Sequence, residues 1–228
     1  QQREMDQAMA LLRKAADQGH IHAQLYCGKL YFFGDGVAKD DRLAFVYYEK
    51  AALQGQAIAQ WQLANSYKNG YGCQQNYERS AEWYEKAALQ GHASAQCSLG
   101  FAYELGRGVP QSDEKAFELY GQSAAQGDST AQSNLGILYK VGRGCEQNDV
   151  RAAEWHKKAA LQGHAGAQCA LGIAYEHGLG VPQSVEKAFE LYGQSAAKGN
   201  SDAQSNLGNC YRDGIGCEPN YVCATEWH

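Results

Sequence analysis

Proline is almost missing from this chain. There are three in 228 residues, Pro110, Pro182 and Pro219, so long stretches carry nothing that would break a helix. No apolar run approaches the roughly 20 residues needed to cross a bilayer as a helix. Positive charge is not in excess: 20 Lys and Arg stand against 25 Asp and Glu, a net charge of −5. That excludes the basic face of a nucleic-acid binder and a polybasic membrane patch. Eight cysteines occur without one C-x-x-C. H-E-x-x-H, G-x-S-x-G and Walker-type loops are absent as well. The expectation is therefore no enzyme, no catalytic residue, no metal and no cofactor. The opening residues are charged and helix-favouring, unlike a signal peptide. The chain does not begin with Met and is read as an excised or processed segment.

Glycine, by contrast, is abundant, with 26 residues, and its spacing organises the chain. Gln-Gly stands at Gln18-Gly19, Gln54-Gly55, Gln90-Gly91, Gln126-Gly127 and Gln162-Gly163, and Lys198-Gly199 continues the series at the same 36-residue step. Ala23, Ala59, Ala95, Ala131, Ala167 and Ala203, each followed by Gln, keep the same beat. So do the Gly-x-Gly pairs from Gly34/Gly36 to Gly214/Gly216. No insertion breaks the phase. A fixed period of this length marks a stacked-repeat architecture.

Each unit reads as two helices. Helix A spans about 22–33, with Ala23, Cys27, Gly28 and Tyr31 on one face. Helix B spans about 40–53, with Ala44, Tyr47, Tyr48, Ala51 and Ala52 at i, i+3, i+4, i+7, i+8. Asp40, Asn76, Ser112, Asn148, Ser184 and Asn220 open the B helices, and all can accept from a free first-turn N–H. Glycines follow the last apolar position of each helix, where a left-handed residue ends it. Both members of each Gly-x-Gly pair are read as helix stops. Gly100, Gly136, Gly172 and Gly208 fall mid-helix, where glycine costs about 1 kcal/mol against alanine. A close approach by a neighbouring helix explains them.

A second period of 72 residues overlies the first. Residues 87–136 match 159–208 at all but nine of fifty positions. Phe45/Tyr47, Ala81/Trp83, Phe117/Leu119, Ala153/Trp155, Phe189/Leu191 and Thr225/Trp227 suggest a volume-conserving exchange between two columns. Simple duplication without packing meaning accounts for them equally. Glu82, Glu118, Glu154, Glu190 and Glu226 mark a solvated outer face, with Lys86 and Lys158 four residues after two of them.

The unit A-Q-x-x-L-G-x-x-Y-x-x-G-x-G-V resembles the Sel-1-like repeat family, relatives of tetratricopeptide repeats. It is clearest over Ala131-Gln132-Ser133-Asn134-Leu135-Gly136-Ile137-Leu138-Tyr139, and Gly106-Arg107-Gly108-Val109 and Lys115-Ala116-Phe117 continue it. The resemblance covers essentially the whole chain. It implies an all-α fold, a right-handed superhelical α/α solenoid of antiparallel helix pairs with A helices lining the concave side. It also implies an adaptor or scaffold. The expected organisation is one solenoid domain, 1–228. Residues 3–19 are the B helix of a preceding repeat, 20–55, 56–91, 92–127, 128–163 and 164–199 are full repeats, and 200–228 is partial. Cysteine-rich members of the family tie each repeat with a disulfide. Their cysteines would fall at Ala88 and Gln96 here, so that branch is a poor match.

The cysteines and histidines read as structural. Cys73, Cys145 and Cys217 share a column with Val37, Val109 and Val181, and Cys97 and Cys169 share one with Leu25 and Trp61. Cysteine that exchanges with apolar residues behaves as a small hydrophobe, which fits a reducing compartment. His20, His92 and His164 recur where helix A is capped, and His156 replaces a Tyr of the core column.

The expected partner surface is the other face of helix A. Columns 25, 29, 32 and 33 form a second stripe that varies while the framework does not. It holds Trp61, Asn65 and Lys68, then Phe101 and Glu104, then Ile137 and Lys140, then Ile173 and Glu176, then Asn209 and Arg212, with Asn134 and Asn206 beside it. Apolar centres flanked by charge suit a peptide or helix laid in a groove. Lys68, Glu104, Lys140, Glu176 and Arg212 alternate in sign, which favours a ligand with alternating charges. The same side chains could instead pack between neighbouring A helices. The leading function is a protein- or peptide-binding scaffold. The alternatives are a structural module that associates end to end, because the array is read as cut inside units at both ends, and a cell-envelope enzyme by family analogy.

Overall fold

The computed structural model describes residues 2–227, with side chains from residue 7 onward. Thirteen helices and no strand occur among the described residues. The chain divides into two compact units, 1–112 and 113–228. In the first, α1 (Gln2–Asp17) precedes the hairpins α2 (Ile21–Phe33)–α3 (Asp41–Leu53) and α4 (Ala57–Asn69)–α5 (Tyr77–Leu89), then α6 (Ala93–Leu105). In the second, α7 (Asp113–Ala125) precedes α8 (Ser129–Val141)–α9 (Asp149–Leu161) and α10 (Ala165–His177)–α11 (Val185–Ala196). The last pair is α12 (Ser201–Asp213)–α13 (Tyr221–Glu226). The helix bounds expected from the sequence agree to within two residues. His228, expected to continue the final B helix, lies outside the described residues.

The caps are chemical. Asp40, Asn76, Asn148, Ser184 and Asn220 each accept from the backbone N–H three residues on. Gln56, His92, Asp128, His164 and Asn200 do the same for A helices, while His20 makes no such bond. Each such cap satisfies a donor that the first helical turn leaves free, worth about 1 kcal/mol. Gly34, Gly70, Gly106, Gly142, Gly178 and Gly214 end the A helices in the left-handed conformation.

The second glycine of each pair does something the sequence reading missed. At Gly72, Gly108, Gly144, Gly180 and Gly216 a Cβ would stand 2.1–2.3 Å from the carbonyl oxygen of Asp41, Tyr77, Asp113, Asp149 or Val185. These carbonyls open the B helix of the preceding hairpin. The glycine is therefore a seam between successive hairpins, and only a residue without a side chain lets the two backbones meet. Residues between the glycines strengthen the seam. Arg143 forks both carboxylate oxygens of Asp113, and Arg107 lies over the Tyr77 ring.

Mid-helix glycines seat aromatic rings. A Cβ on Gly28, Gly136 or Gly172 would come within 2.6–2.7 Å of the ring of Tyr48, His156 or Tyr192 on the partner helix. The close approach expected at Gly136 is thus by a side-chain ring. The core around these rings is alanine-rich: Ala44, Ala51, Ala52, Ala59 and Leu63 in the first unit, Ala153, Ala159, Ala160, Ala167 and Leu171 in the second.

Glutamines of the Ala-Gln column, all buried but the half-buried Gln204, cross-link the hairpins. Gln24, Gln60, Gln96, Gln132, Gln168 and Gln204 donate to the carbonyls of Ala16, Ala52, Ala88, Ala124, Ala160 and Ala196, near the end of the preceding B helix. Gln54, Gln90 and Gln162 donate in turn to Gln24, Gln60 and Gln132 at 2.7–2.8 Å. This satisfies carbonyls that a helix end leaves open.

The 72-residue alternation also has a geometry. Phe45, Phe117 and Phe189 meet Tyr67, Tyr139 and Tyr211 of the next A helix edge-on at 5.2–5.3 Å. Where that column holds Ala81 or Ala153, Trp83 and Trp155 fill the other column. Lys86 and Lys158 then lie over those rings at 4.0 and 3.8 Å. All eight cysteines are free thiols.

Candidate protein-binding face

The variable stripe of helix A was the expected site, and each unit carries its own part of it. In the first, Phe101 is 40% exposed, and Lys68 and Phe101 line a shallow cleft with Tyr77 and Arg107. Trp61 is half-buried. Its ring stacks on His92 at 5.5 Å and its Nε1–H donates to Ser98 Oγ at 3.4 Å. Trp61 therefore packs against the start of the next A helix. Asn65 is also engaged, because its Oδ1 accepts from the Tyr84 hydroxyl at 2.5 Å. Glu104 is half-buried.

In the second unit, Ile137 is 46% exposed and Lys140 is exposed. Asn134, Ile173 and Asn209 are half-buried. Glu176 Oε2 accepts from the Tyr192 hydroxyl at 2.5 Å, and the Asn206 amide faces Cys169 Sγ at 3.9 Å. Arg212 forks the carboxylate of its neighbour Asp213, which holds that carboxyl below its ordinary value. On this stripe the exposed large apolar side chains include Phe33 at 57% on α2, Phe101 and Leu105 at 40% and 44% on α6, and Ile137 and Val141 at 46% and 52% on α8, while Leu53, Leu89 and Leu161 on B helices are more exposed still.

Electrostatics follow burial. The Tyr84 hydroxyl is pushed up to about 12 by burial, and Tyr192 is raised by burial and by Glu176. Burial lowers His92 and His164, whose Nδ1 atoms accept from Ala95 and Ala167 N–H, so neutral rings cap these helices. No group of three or more His, Cys, Asp or Glu is arranged for a metal among the described residues. No described helix is long and apolar enough to cross a membrane.

Helix hairpins joined by glycine seams and glutamine bridges, with one variable helix face, define an α/α solenoid repeat protein. The comparisons give the family. The family model described as Sel1 repeat matches residues 2–20, 21–56, 57–92, 93–128, 129–164, 165–200 and 201–228. The chain belongs to the Sel1 repeat family. It is similar to a Sel1 repeat protein from Oxalobacter formigenes, at 34% identity and TM-score 0.90, over 99% of this chain and 90% of that one. It is also similar to a protective antigen of uropathogenic Escherichia coli displaying an SLR fold, at 38% identity and TM-score 0.88. That match covers 98% of this chain but 48% of the antigen, so the chain spans about half its length. An immunity protein from Pseudomonas aeruginosa, at 19% identity and TM-score 0.59 over 88% of this chain and 78% of that one, shares the fold. No curated protein matches. Sel1 repeat solenoids are generally protein-interaction scaffolds and typically non-enzymatic.

Proposed function

We propose that this chain binds a protein or peptide partner on the variable face of its A helices. The observation that carries the reading is exposure against a fixed framework. Phe101 and Ile137 stand 40% and 46% open to solvent, in a chain whose caps, seams and bridges recur in most repeats. Phe101 on α6, with Lys68 beside it, and Ile137 on α8, with Lys140 one turn on, each offer an amphipathic segment an apolar anchor next to a cation. Trp61, Asn65 and Glu176 take part in internal contacts. They shape the face and contribute less to affinity than Phe101 and Ile137.

The test begins with affinity capture of the native partner and its identification by mass spectrometry. Phe101→Ala and Ile137→Ala are then compared with the unaltered chain. Each is expected to weaken capture by roughly tenfold, as loss of an apolar anchor implies, with an unchanged melting temperature. Capture indifferent to both substitutions places the partner elsewhere.

A further inference from the structure

Between α2, α3 and α4 lies a half-open cavity of about 410 Å³, walled by Leu25, Tyr26 and Ile58, with His22, Lys29 and Gln62 as its polar groups and Tyr48 lining it. Tyr48 is 1% exposed, and its hydroxyl has no hydrogen-bond partner. Burial raises its pKa, so the group remains an O–H donor. A buried donor without an acceptor costs about 1–3 kcal/mol and calls for an explanation.

Sister hairpins supply one. The equivalent hydroxyl of Tyr84 donates to Asn65, and that of Tyr192 donates to Glu176. In each case the acceptor is an oxygen from the A helix of the same hairpin. At the positions of Asn65 and Glu176 the first hairpin has Lys29 and Phe32, and neither side chain can accept. The missing acceptor is thus replaced by a cation beside a largely apolar cavity with ample room for a side chain.

We propose that this cavity receives the carboxylate of a glutamate or aspartate side chain from a bound peptide, with Tyr48 donating to one oxygen and Lys29 balancing its charge. The inference rests on the A-helix face being a peptide-binding surface, and it names an acidic residue as one thing that surface selects. Because the hydroxyl oxygen is covered, the ligand reaches it when a rim side chain swings aside. Tyr26 and Lys29 are exposed and free to do so.

The probe is N-acetylglutamate methylamide, whose only acid is the side chain, with the glutamine analogue as control. Each is titrated into protein carrying ring-labelled tyrosine and followed by NMR. The glutamate probe is expected to move the Tyr48 signal saturably, and the glutamine analogue to bind about fivefold more weakly or less, as loss of a charge-assisted contact implies. Tyr48→Phe is expected to lose the preference. Lys29→Asn, at an exposed helix position, is expected to abolish binding and raise the melting temperature, because it rebuilds the internal acceptor seen at Asn65. Equal response to both probes, a silent Tyr48, or undiminished binding in Lys29→Asn overturns the proposal. A silent Tyr48 alongside partner capture that still depends on Phe101 overturns the cavity and leaves the wider face standing.

Discussion

Two neighbouring hairpins of the second unit use one scaffold differently. In α10–α11, Tyr192 sits over Gly172 and its hydroxyl is bonded to Glu176. In α8–α9, His156 sits over Gly136, 3% exposed, and neither ring nitrogen has a partner. The residue aligned with Glu176 is Lys140, a cation that disfavours a protonated ring. One exchange on the variable face has therefore removed an acceptor from the core. The two surfaces of an A helix are not independent, and surface variation is written into stability beneath it.

Acid should separate the two hairpins most strongly. Burial, followed by Lys140 and His164, lowers the His156 pKa to about 4 from an ordinary 6.5. The unfolded chain takes up a proton near pH 6.5, while the folded chain resists until about pH 4. Stability contributed by the neutral ring is present above pH 6.5 and is lost as pH falls across that window. Each pH unit crossed costs about 1.4 kcal/mol, so the whole window removes roughly 3–4 kcal/mol. The lowered His92 and His164 work in the same direction, since protonation removes the Nδ1 acceptor that caps their helices. Urea denaturation at pH 7 and pH 4.5 measures the loss, and His156→Phe should flatten most of it. An unchanged slope in that variant would show that the ring does not titrate as a buried group.

The ring seats come next. Gly136→Leu is expected to destabilise by roughly 1–3 kcal/mol through overpacking against His156, read as a fall in melting temperature. Gly136→Ala should cost far less, because Ala64 already stands at the same place opposite Tyr84. If Leu is tolerated as well as Ala, the ring is free to move and the seat is not tight.

Smaller still is the hydroxyl itself. Tyr192→Phe removes the bond to Glu176 and should cost about 1 kcal/mol at pH 7, measured by urea denaturation. The same deletion in the first hairpin, Tyr48→Phe, should be neutral or stabilising, since no bond is lost there. Equal costs at both positions would erase the contrast between bonded and unbonded hydroxyls.

Much of this was legible in the residues. The 36-residue beat, the B-helix caps and the first glycine of each pair are local features, and local features show in spacing. Gly144 looked like a second helix stop because its real constraint is the Asp113 carbonyl, 31 residues away and visible only once hairpins stack. The Ala-Gln column was equally plain in the sequence, yet the glutamine's role depends on the end of the preceding helix. Trp61 read as an outward apolar anchor by helical phase. It folds onto His92 because two successive A helices lie side by side, and phase within one helix cannot report that. Tyr48 and His156 share a column, but their missing partners emerge only when that column is set against positions 29 and 32 of the facing helix.

The finest test concerns the 72-residue alternation, which is either packing or inheritance. Phe117 meets Tyr139 edge-on at 5.2 Å, whereas the sister helix α9 has Ala153 and moves its bulk to Trp155. If volume is exchanged between the two columns, Leu119→Trp should be unfavourable beside Phe117 and favourable once Phe117→Ala has opened space. A double-mutant cycle should then give a coupling of about 0.5–1 kcal/mol in favour of the double variant. Aromatic edge contacts are themselves worth about that much, so the cycle must be read against Phe117→Ala alone. Strict additivity would mean that the two columns never compete for space. The alternation would then record a duplicated pair of repeats, and the differences between hairpins would have to be explained one residue at a time.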